Sequence, residues 1–554
     1  MRVIRGFPST SQDEFQLNVT TLIRHGARSF GSQQIIARKP DGQIFSYTFR
    51  EAYERVKKVA NLLKDLGIEP GERIGVLEWN THRHFELYFG IPGTGAVLLQ
   101  MNIRLMPQEL IYIANHSEVK LIFVDESLIP IAEAISSEVK SIKAYIIMTD
   151  KKPNEIKTKL DPIYYYEELL SQKEPEYDWP MLDEKSAYSA CYTSGTTGLP
   201  KGVYYSHRCI YLHSMQVAVS YEIKAKDCFL LLTPMYHATA WGMAQVATLV
   251  GAKLILPGRY TIEDFGPIVE IMENEKVTFT VAATTIFMSM LEYIKGMKKK
   301  PNFSNLKILS GASEPPLAML RGFHELTGAE VKTGYGATET TPTVTVNKLK
   351  PWLEGKLSEE ERWNLNRKHG YPVPGIDLKI VDEKNEELPH DGKAVGEILV
   401  RGPWITRCYY NAPGTESRFT EDGYWRSGDV GVIDHEEYLK MVDRIKDLIK
   451  SGGEWISSID MENEIMRHPA VLEATVIGLS HPKWEERPVA FVVLKSDFKG
   501  KIIPGEILDH LHKVFSKWQL PDKVLFLDQI PKTSVGKFNK KLLKDKYKDL
   551  LGEN

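Results

Sequence analysis

Apolar residues in the first third of the chain follow two spacings in turn. Between Thr48 and Gly67 they recur at helical intervals, so that Ala52, Val56, Val59, Leu63 and Leu66 share one face. Thr48 and Glu51 form a capping box ahead of that face and Gly67 ends it, which predicts one amphipathic helix. RIGVLEW (73–79) then reads as a strand, HRHFELYFGI as a helix and AVLLQM (96–101) as a strand again. KLIFVD (120–125), AYIIMT (144–149) and KLILPG (253–258) repeat the strand pattern between helical stretches. Such alternation predicts an α/β domain with a largely parallel sheet.

The pattern changes in the second half. NKLKPWLEGKLSEEERWNLNRKHG (347–370) is polar and charged and predicts a surface helical insertion. The stretch 375–404 carries short strands with turn signals and reads as a small β subdomain. DRIKDLIKSGGEWISS (443–458) has charges, paired glycines and no long apolar run, a composition that suits an interdomain connection. Beyond it VLEATVIGL (471–479) and RPVAFVVLK (487–495) read as strands and GEILDHLHKVF as a helix, so roughly the last 110 residues form a separate α+β unit. No internal repeat or low-complexity tract interrupts the chain.

At 554 residues the chain is too long for one core, and two or three packed units are expected. With 42% hydrophobic and 26% charged residues, disorder is not expected. The formal net charge of -3 lacks the footprint of a nucleic-acid binder, and the basic run GMKKKP (296–301) has no interleaved aromatics. Cys191, Cys209, Cys228 and Cys408 form no CxxC pair and no metal spacing, which suits reduced thiols. His82 and His84 stand two apart and project from different helix faces, which weighs against a shared metal. The N-terminus lacks an apolar signal region and no stretch is long enough to span a bilayer, so the expectation is a soluble, cytoplasmic protein.

The chemistry begins at YTSGTTGLPKG (192–202). Glycines let backbone N–H groups approach oxyanions, and one lysine neutralises them, so the stretch suits a polyphosphate. A P-loop requires glycine directly before its lysine and a hydroxyl residue directly after, whereas Pro200 precedes Lys201 and Gly202 follows it. A plain Gly/Ser/Thr-rich surface turn has the same composition, so this loop alone leaves both readings open.

Further motifs lie downstream: PMYHATAW (234–241), TGYGATETT (333–341), YWRSGDVG (424–431), DRIKDLIKSGG (443–453) and PKTSVGK (531–537). In that order, with the opening loop, they resemble the motifs of the adenylate-forming enzymes, the AMP-binding and acyl-CoA synthetase superfamily. FPST near the N-terminus and KWQLPD before the last motif bring the likeness nearest to the fatty acyl-CoA synthetase branch. The resemblance implies an α/β fold with a large N-terminal domain of α/β subdomains plus a small β-barrel-like subdomain, and a small mobile α+β C-terminal domain. On this sequence the boundaries are 1–443, a hinge at 444–446, and 447–554. It implies an AMP-forming acid–thiol ligase that uses ATP, Mg²⁺ and coenzyme A, with an acyl-adenylate between its two half-reactions and a domain rotation separating them.

Carried over by motif, Thr196, Thr197 and Lys201 would contact the β- and γ-phosphates, with Ser194, Gly195 and Gly198 completing the loop. Thr193 and Glu339 would hold Mg²⁺, a hard cation that prefers oxygen. Tyr335 would stack on adenine beside Gly334, with Ala312, Thr333, Gly336 and Thr338 around it. Asp429 and Arg444 would hold the ribose hydroxyls, and Lys450 and Trp455 would add nucleotide contacts. Lys537 matches the lysine of the first half-reaction, Lys446 stands at the hinge, and Gly452 and Gly453 would line the pantetheine channel. His237 would flank the reacting carboxylate, so the catalytic set is Lys537, Lys201, His237 and Glu339.

For the acid, acetate-specific relatives carry tryptophan where this chain has Gly336. That difference predicts an open pocket for a medium- or long-chain acid, walled by His237, Trp241, Thr284, Gly311, Ala312, Thr340 and Thr341, several of them small or hydroxylated. An aryl, branched or hydroxy acid stays open on the same grounds. Other readings of the motifs are an adenylating ligase that loads a carrier protein, a catalytically silent acyl-adenylate binding protein, and a luciferase-like oxygenase. The silent protein would be expected to lack Lys537, Glu339 or Lys201, and this chain keeps all three. The branch also suggests a homodimer, with the segment before residue 35 able to reach a neighbour.

Overall fold

The helix expected after Thr48 forms as Phe49–Asp65, with both halves of its capping box in place. Glu51 N donates to Thr48 Oγ1 at 3.3 Å and Thr48 N donates to Glu51 Oε2 at 2.7 Å. Thr48→Ala removes the side-chain acceptor, and about 1 kcal/mol of local stability goes with it. The expected result is roughly fivefold faster hydrogen exchange of the first-turn amides, with the rest of the helix unchanged.

The computed structural model describes residues 4–193, 199–311, 314–452, 454–532 and 537–551, apart from the side chain of Thr239. Two seven-stranded sheets make the large domain. The first runs Ile163–Tyr165, Ala144–Met148, Leu121–Asp125, Arg73–Leu77, Val97–Gln100, Ala187–Thr193 and Lys201–Ser206. It is parallel except for the closing hairpin, in which Thr193 faces Lys201. The second runs Glu330–Thr333, Lys307–Gly311, Phe279–Ala283, Cys228–Leu230, Lys253–Leu256, Gln34–Arg38 and Ile44–Thr48, parallel except for its last pair. Helices cover both, which is why their strands read as continuous apolar runs. The helix His82–Gly93 is buried at every position, its polar residues His82, Arg83, His84 and Glu86 included.

Asp377–Val381, Gly396–Arg401, Trp425–Ile433 and Leu439–Arg444 form a four-stranded antiparallel sheet. This corrects the expected β-barrel-like subdomain: the sheet is open, with Asp377–Val381 and Leu439–Arg444 as its edges. The charged insertion yields the helix Glu359–Arg367, capped by Ser358 and Glu361.

In the small domain Val471–His481 pairs with Glu485–Leu494 over ten registered positions, and Lys523–Phe526 adds in parallel. The helices Ser458–Met466, Pro504–His512 and Lys540–Tyr547 belong to the same domain. The stretch read as a bare connection holds a hairpin of its own, Ile449–Ser451 with Glu454–Ile456. Its short alternating residues gave no apolar run, yet Ile449 and Ile456 are buried in the small domain's core. Among the described residues no helix is long and apolar enough to cross a membrane.

Both ring nitrogens of His84 are used, one by Trp79 O at 3.0 Å and the other by Gln100 Oε1 at 3.1 Å, while His82 packs on Phe45. Asn80, between them and the sheet, joins the two halves of the large domain. Its amide donates to Leu231 O and Thr233 O at 2.7 and 2.8 Å and accepts from Met235 N at 2.8 Å. These three bonds fix the start of the 234–241 loop over the carboxyl ends of the strands, where ligands of open α/β sheets bind.

Candidate active site

Strands Ala187–Thr193 and Lys201–Ser206 set Thr193 and Lys201 opposite each other, so the hairpin itself brings the two ends of the phosphate-type loop together. Ser194, Gly195, Thr196, Thr197 and Gly198 lie outside the described residues, as do Ala312 and Gly453. The Lys201 ammonium sits 5.2 Å from the centre of the Tyr409 ring. Gly202 has no room for a side chain: a Cβ there would come within 2.9 Å of Tyr192.

Glu339 occupies a tight turn, Thr338–Thr340, held on both sides. Tyr205 donates to Thr338 O at 2.7 Å, and Thr406 N donates to Glu339 O at 2.8 Å. The Tyr409 hydroxyl donates to Glu339 Oε1 at 2.7 Å. Burial raises the Glu339 carboxyl above its ordinary 4.5, and the Tyr409 bond opposes that shift.

Three separate motifs meet at Asp429. Tyr335 donates its hydroxyl to Asp429 Oδ2 at 2.7 Å, and Arg444 Nε lies 3.3 Å from Oδ1. Gly334 and Gly336 are forced by close backbone approach. A Cβ on Gly334 would meet Thr345 O at 2.8 Å, and one on Gly336 would meet Pro342 O at 1.8 Å. The direction of the missing Gly336 side chain is filled by a carbonyl, so the turn itself requires glycine there. The buried Thr333 hydroxyl has no hydrogen-bond partner within the protein.

Lys537 comes from the far end of the chain and lies within electrostatic reach of His237. Burial, aided by Lys537, drops the His237 ring to about 4, so it is neutral near pH 7. Burial, then Arg444 and Lys446, lower the Lys537 ammonium to about 8, while Asp429 and Glu339 pull it up. The fold thus gathers Lys537, His237, Glu339, Asp429, Arg444 and Lys446 into one electrostatic cluster. The Lys446 carbonyl accepts from Lys544 of the small domain at 3.1 Å, which ties this segment to the last helix.

Other expected residues do not join the cluster. Lys450 pairs with Glu485 at 3.5 Å, Trp455 is half exposed, and Gly452 N bonds Trp484 O at 2.9 Å, all within the small domain. Two expected acyl-wall hydroxyls are committed to the backbone. Thr340 donates to Ala337 O at 3.1 Å and Thr341 donates to Trp404 O at 2.6 Å, so neither is presented to a ligand as drawn from the sequence. Thr284 donates to Gly311 O at 3.2 Å. Trp241 does line this region: its ring lies over Gly311, where a Cβ would come within 2.6 Å of it. Ala238, Ala240 and Trp241 all hold positive φ (42°, 52° and 56°), a backbone cost that persists only where the surroundings enforce it.

Sequence reading missed Tyr409, Asn80 and Arg418, which donates to Ser427 O at 3.1 Å beside the cluster. The paired aromatics of RCYYN were the one local signal for Tyr409. Asn80 and Arg418 had none.

The donors present suit the groups that the motifs imply. Three cations, Lys201, Arg444 and Lys537, can meet a polyphosphate, Thr333 holds a buried hydroxyl without a partner, and the Glu339 carboxylate and Thr193 hydroxyl are hard oxygens fit for Mg²⁺.

Comparison with known proteins bears on the same arrangement. Residues 24–410 match the AMP-binding enzyme family, and residues 460–537 match the AMP-binding enzyme C-terminal domain. A long-chain-fatty-acid–CoA ligase of Thermus thermophilus is 42% identical over 553 residues, 99% of each chain. A medium-chain-fatty-acid–CoA ligase of Ectopseudomonas oleovorans is 34% identical over 97% of each. Among solved structures, an anthranilate CoA ligase in complex with anthranoyl-AMP superposes with a TM-score of 0.85 at 22% identity, over 97% of this chain and 99% of that one, a likeness of fold.

Proposed function

The chain belongs to the AMP-binding enzyme family, and from that premise we propose that it activates a medium- or long-chain carboxylic acid with ATP and transfers the acyl group to coenzyme A. The observation that carries the reading is Lys537: a half-buried small-domain cation within electrostatic reach of His237, in a cluster otherwise built by the large domain. A chemically silent binding protein would have no need to bury a lysine there against its desolvation cost.

In the first half-reaction a carboxylate oxygen attacks the α-phosphorus of ATP and pyrophosphate leaves. The acid is already ionised near neutral pH, so no general base is required. What the site supplies is position and charge. Lys537 meets the negative charge that gathers on the attacking and α-phosphate oxygens. Neutral His237 packs beside that point without adding a competing charge. Asp429 offers carboxylate oxygens to the ribose hydroxyls once the Tyr335 hydroxyl yields its bond, and Arg444 orients it. Lys201 stands where the β- and γ-phosphates would lie, over the Tyr409 ring. Glu339 and Thr193 would hold Mg²⁺, whose charge would neutralise phosphate oxygens when bound.

In the second half-reaction the thiol of coenzyme A attacks the acyl carbon and AMP leaves. Lys537 fills the approach to that carbon, so it must withdraw first. Trp241, lying on Gly311, closes the acyl side of the cluster and would have to yield for a long chain.

AMP and pyrophosphate release from Mg-ATP, measured for a carboxylate series from acetate to palmitate with and without coenzyme A, tests this directly. Expected is coenzyme A-dependent AMP release that peaks at a medium or long chain. Pyrophosphate exchange that coenzyme A never draws forward would replace the acceptor by a carrier protein, and silence with every acid would overturn the reading.

A further inference from the structure

The small domain is fastened to the large one at points that the chemistry above does not use. Asn463, on the helix Ser458–Met466, donates from its amide to Glu314 Oε1 at 3.3 Å. The same carboxylate oxygen takes Arg367 Nη2 at 2.5 Å. Arg367 ends the helix Glu359–Arg367, in the polar insertion whose role the reaction leaves unassigned. Lys440, on the strand Leu439–Arg444, meets Asp460 at 3.1 Å. Ser457 donates to Val442 O, and Ser458 N to Asp443 Oδ2, both at 2.8 Å.

Apart from Glu314–Arg367, which lies within the large domain, each of these contacts has one partner before the 444–446 hinge and one after it. A small domain that turns about the hinge must therefore break those four. They are also uneven in strength. Glu314 is a buried carboxylate, 7% exposed, whose other oxygen has no hydrogen-bond partner, and Arg367 Nε has none either. A half-satisfied buried ion pair gains from any further donor, so the Asn463 amide makes a charge-assisted bond where water is scarce.

We propose that Asn463 and Asp460 are positioning residues for the first half-reaction: through Glu314–Arg367 and Lys440 they latch the small domain with Lys537 inserted, and their release lets it leave for the second. The proposal rests on the two-step reading above. It gives the charged insertion a task, because its last helical residue holds the carboxylate on which the latch closes.

The full-length double variant Asn463→Ala/Asp460→Ala tests it beside the unaltered protein. The first half-reaction is read as pyrophosphate release without coenzyme A, using the most active acid of the series. The second is read as thioester formation from the chemically prepared adenylate of that acid. Loss of the latch is expected to slow the first about tenfold while the second holds or rises, and Asp460→Glu with Asn463 intact should restore the ratio. Equal losses in both steps, as a merely structural role would give, or an unchanged ratio, would overturn the proposal. If the unaltered protein performs neither step, the two-step reading falls instead, and the latch is then judged by hydrogen exchange across 439–446. Faster exchange in the double variant supports it, and unchanged exchange refutes it.

Discussion

Replacing Lys537 by alanine is expected to slow adenylate formation by about 10²- to 10³-fold, the usual cost of one donor aimed at developing charge, and to leave thioester formation from a preformed adenylate near its original rate. The asymmetry follows from the geometry. Lys537 lies within electrostatic reach of His237 and within the fields of Asp429, Glu339 and Arg444, where the first reaction gathers negative charge. On the proposed two-step mechanism the same side chain would obstruct the acyl carbon in the second step. A pH profile adds an independent check. Only the ammonium form can do this work, and burial lowers it to about 8 in the free protein. Anionic substrates favour the protonated form, so the first step should decline at or above pH 8, and Lys537→Ala should lack that limb. Equal slowing of both steps would remove Lys537 from the chemistry and leave it a structural lysine.

Glu339→Gln carries the second large effect. The carboxylate, held by Tyr409, is a hard-oxygen donor suited to Mg²⁺, and its loss is expected to slow adenylation by about 10²- to 10³-fold at saturating Mg-ATP. The same change should make the free protein more stable. Burial raises the Glu339 carboxyl in the folded state, so the fold holds that proton to a higher pH than the unfolded chain does. Ionising it therefore costs stability, beginning as pH climbs past 4.5 and complete above the folded value. Glutamine keeps the shape and can still accept the Tyr409 bond without the charge. The melting temperature of Glu339→Gln should exceed that of the original protein at pH 7 and approach it near pH 4. A variant less stable at pH 7 would mean that the carboxylate is held by more than the Tyr409 hydroxyl. Loss of activity together with a gain in stability is the pattern of a residue kept for function.

Much of this was legible along the chain, though unevenly. The capping box at Thr48 and Glu51 specified a helix start because all its partners lie within one turn. The motif residues Tyr335, Asp429 and Arg444 were recognised singly, and the structure joins them by two contacts. Gly336 was read from its motif as space for an acyl chain, while the structure adds a local reason for the glycine. Whether a glycine opens a pocket or admits a backbone depends on what approaches it, and here it is Pro342 O. Thr340 and Thr341 failed as acyl walls for a related reason: a hydroxyl beside a tight turn meets the nearest carbonyl first. Sequence also credited Lys450 and Trp455 with nucleotide contacts, whereas the fold keeps them on the small domain's own surface.

What the sequence determined by itself is the set of elements and the inventory of chemistry. Apolar period, caps and glycines act over a few residues, and six ordered motifs name the charged and hydroxyl groups that an acid and a polyphosphate require. Tertiary structure alone decided which groups meet: Tyr409 with Glu339, Asn80 across the two large sheets, and Glu314 with Asn463 across the hinge. These pairs are separated by 70 to 151 positions in sequence. No local pattern encodes such a contact, because each depends on packing that exists only when both sheets and the small domain have closed on one another.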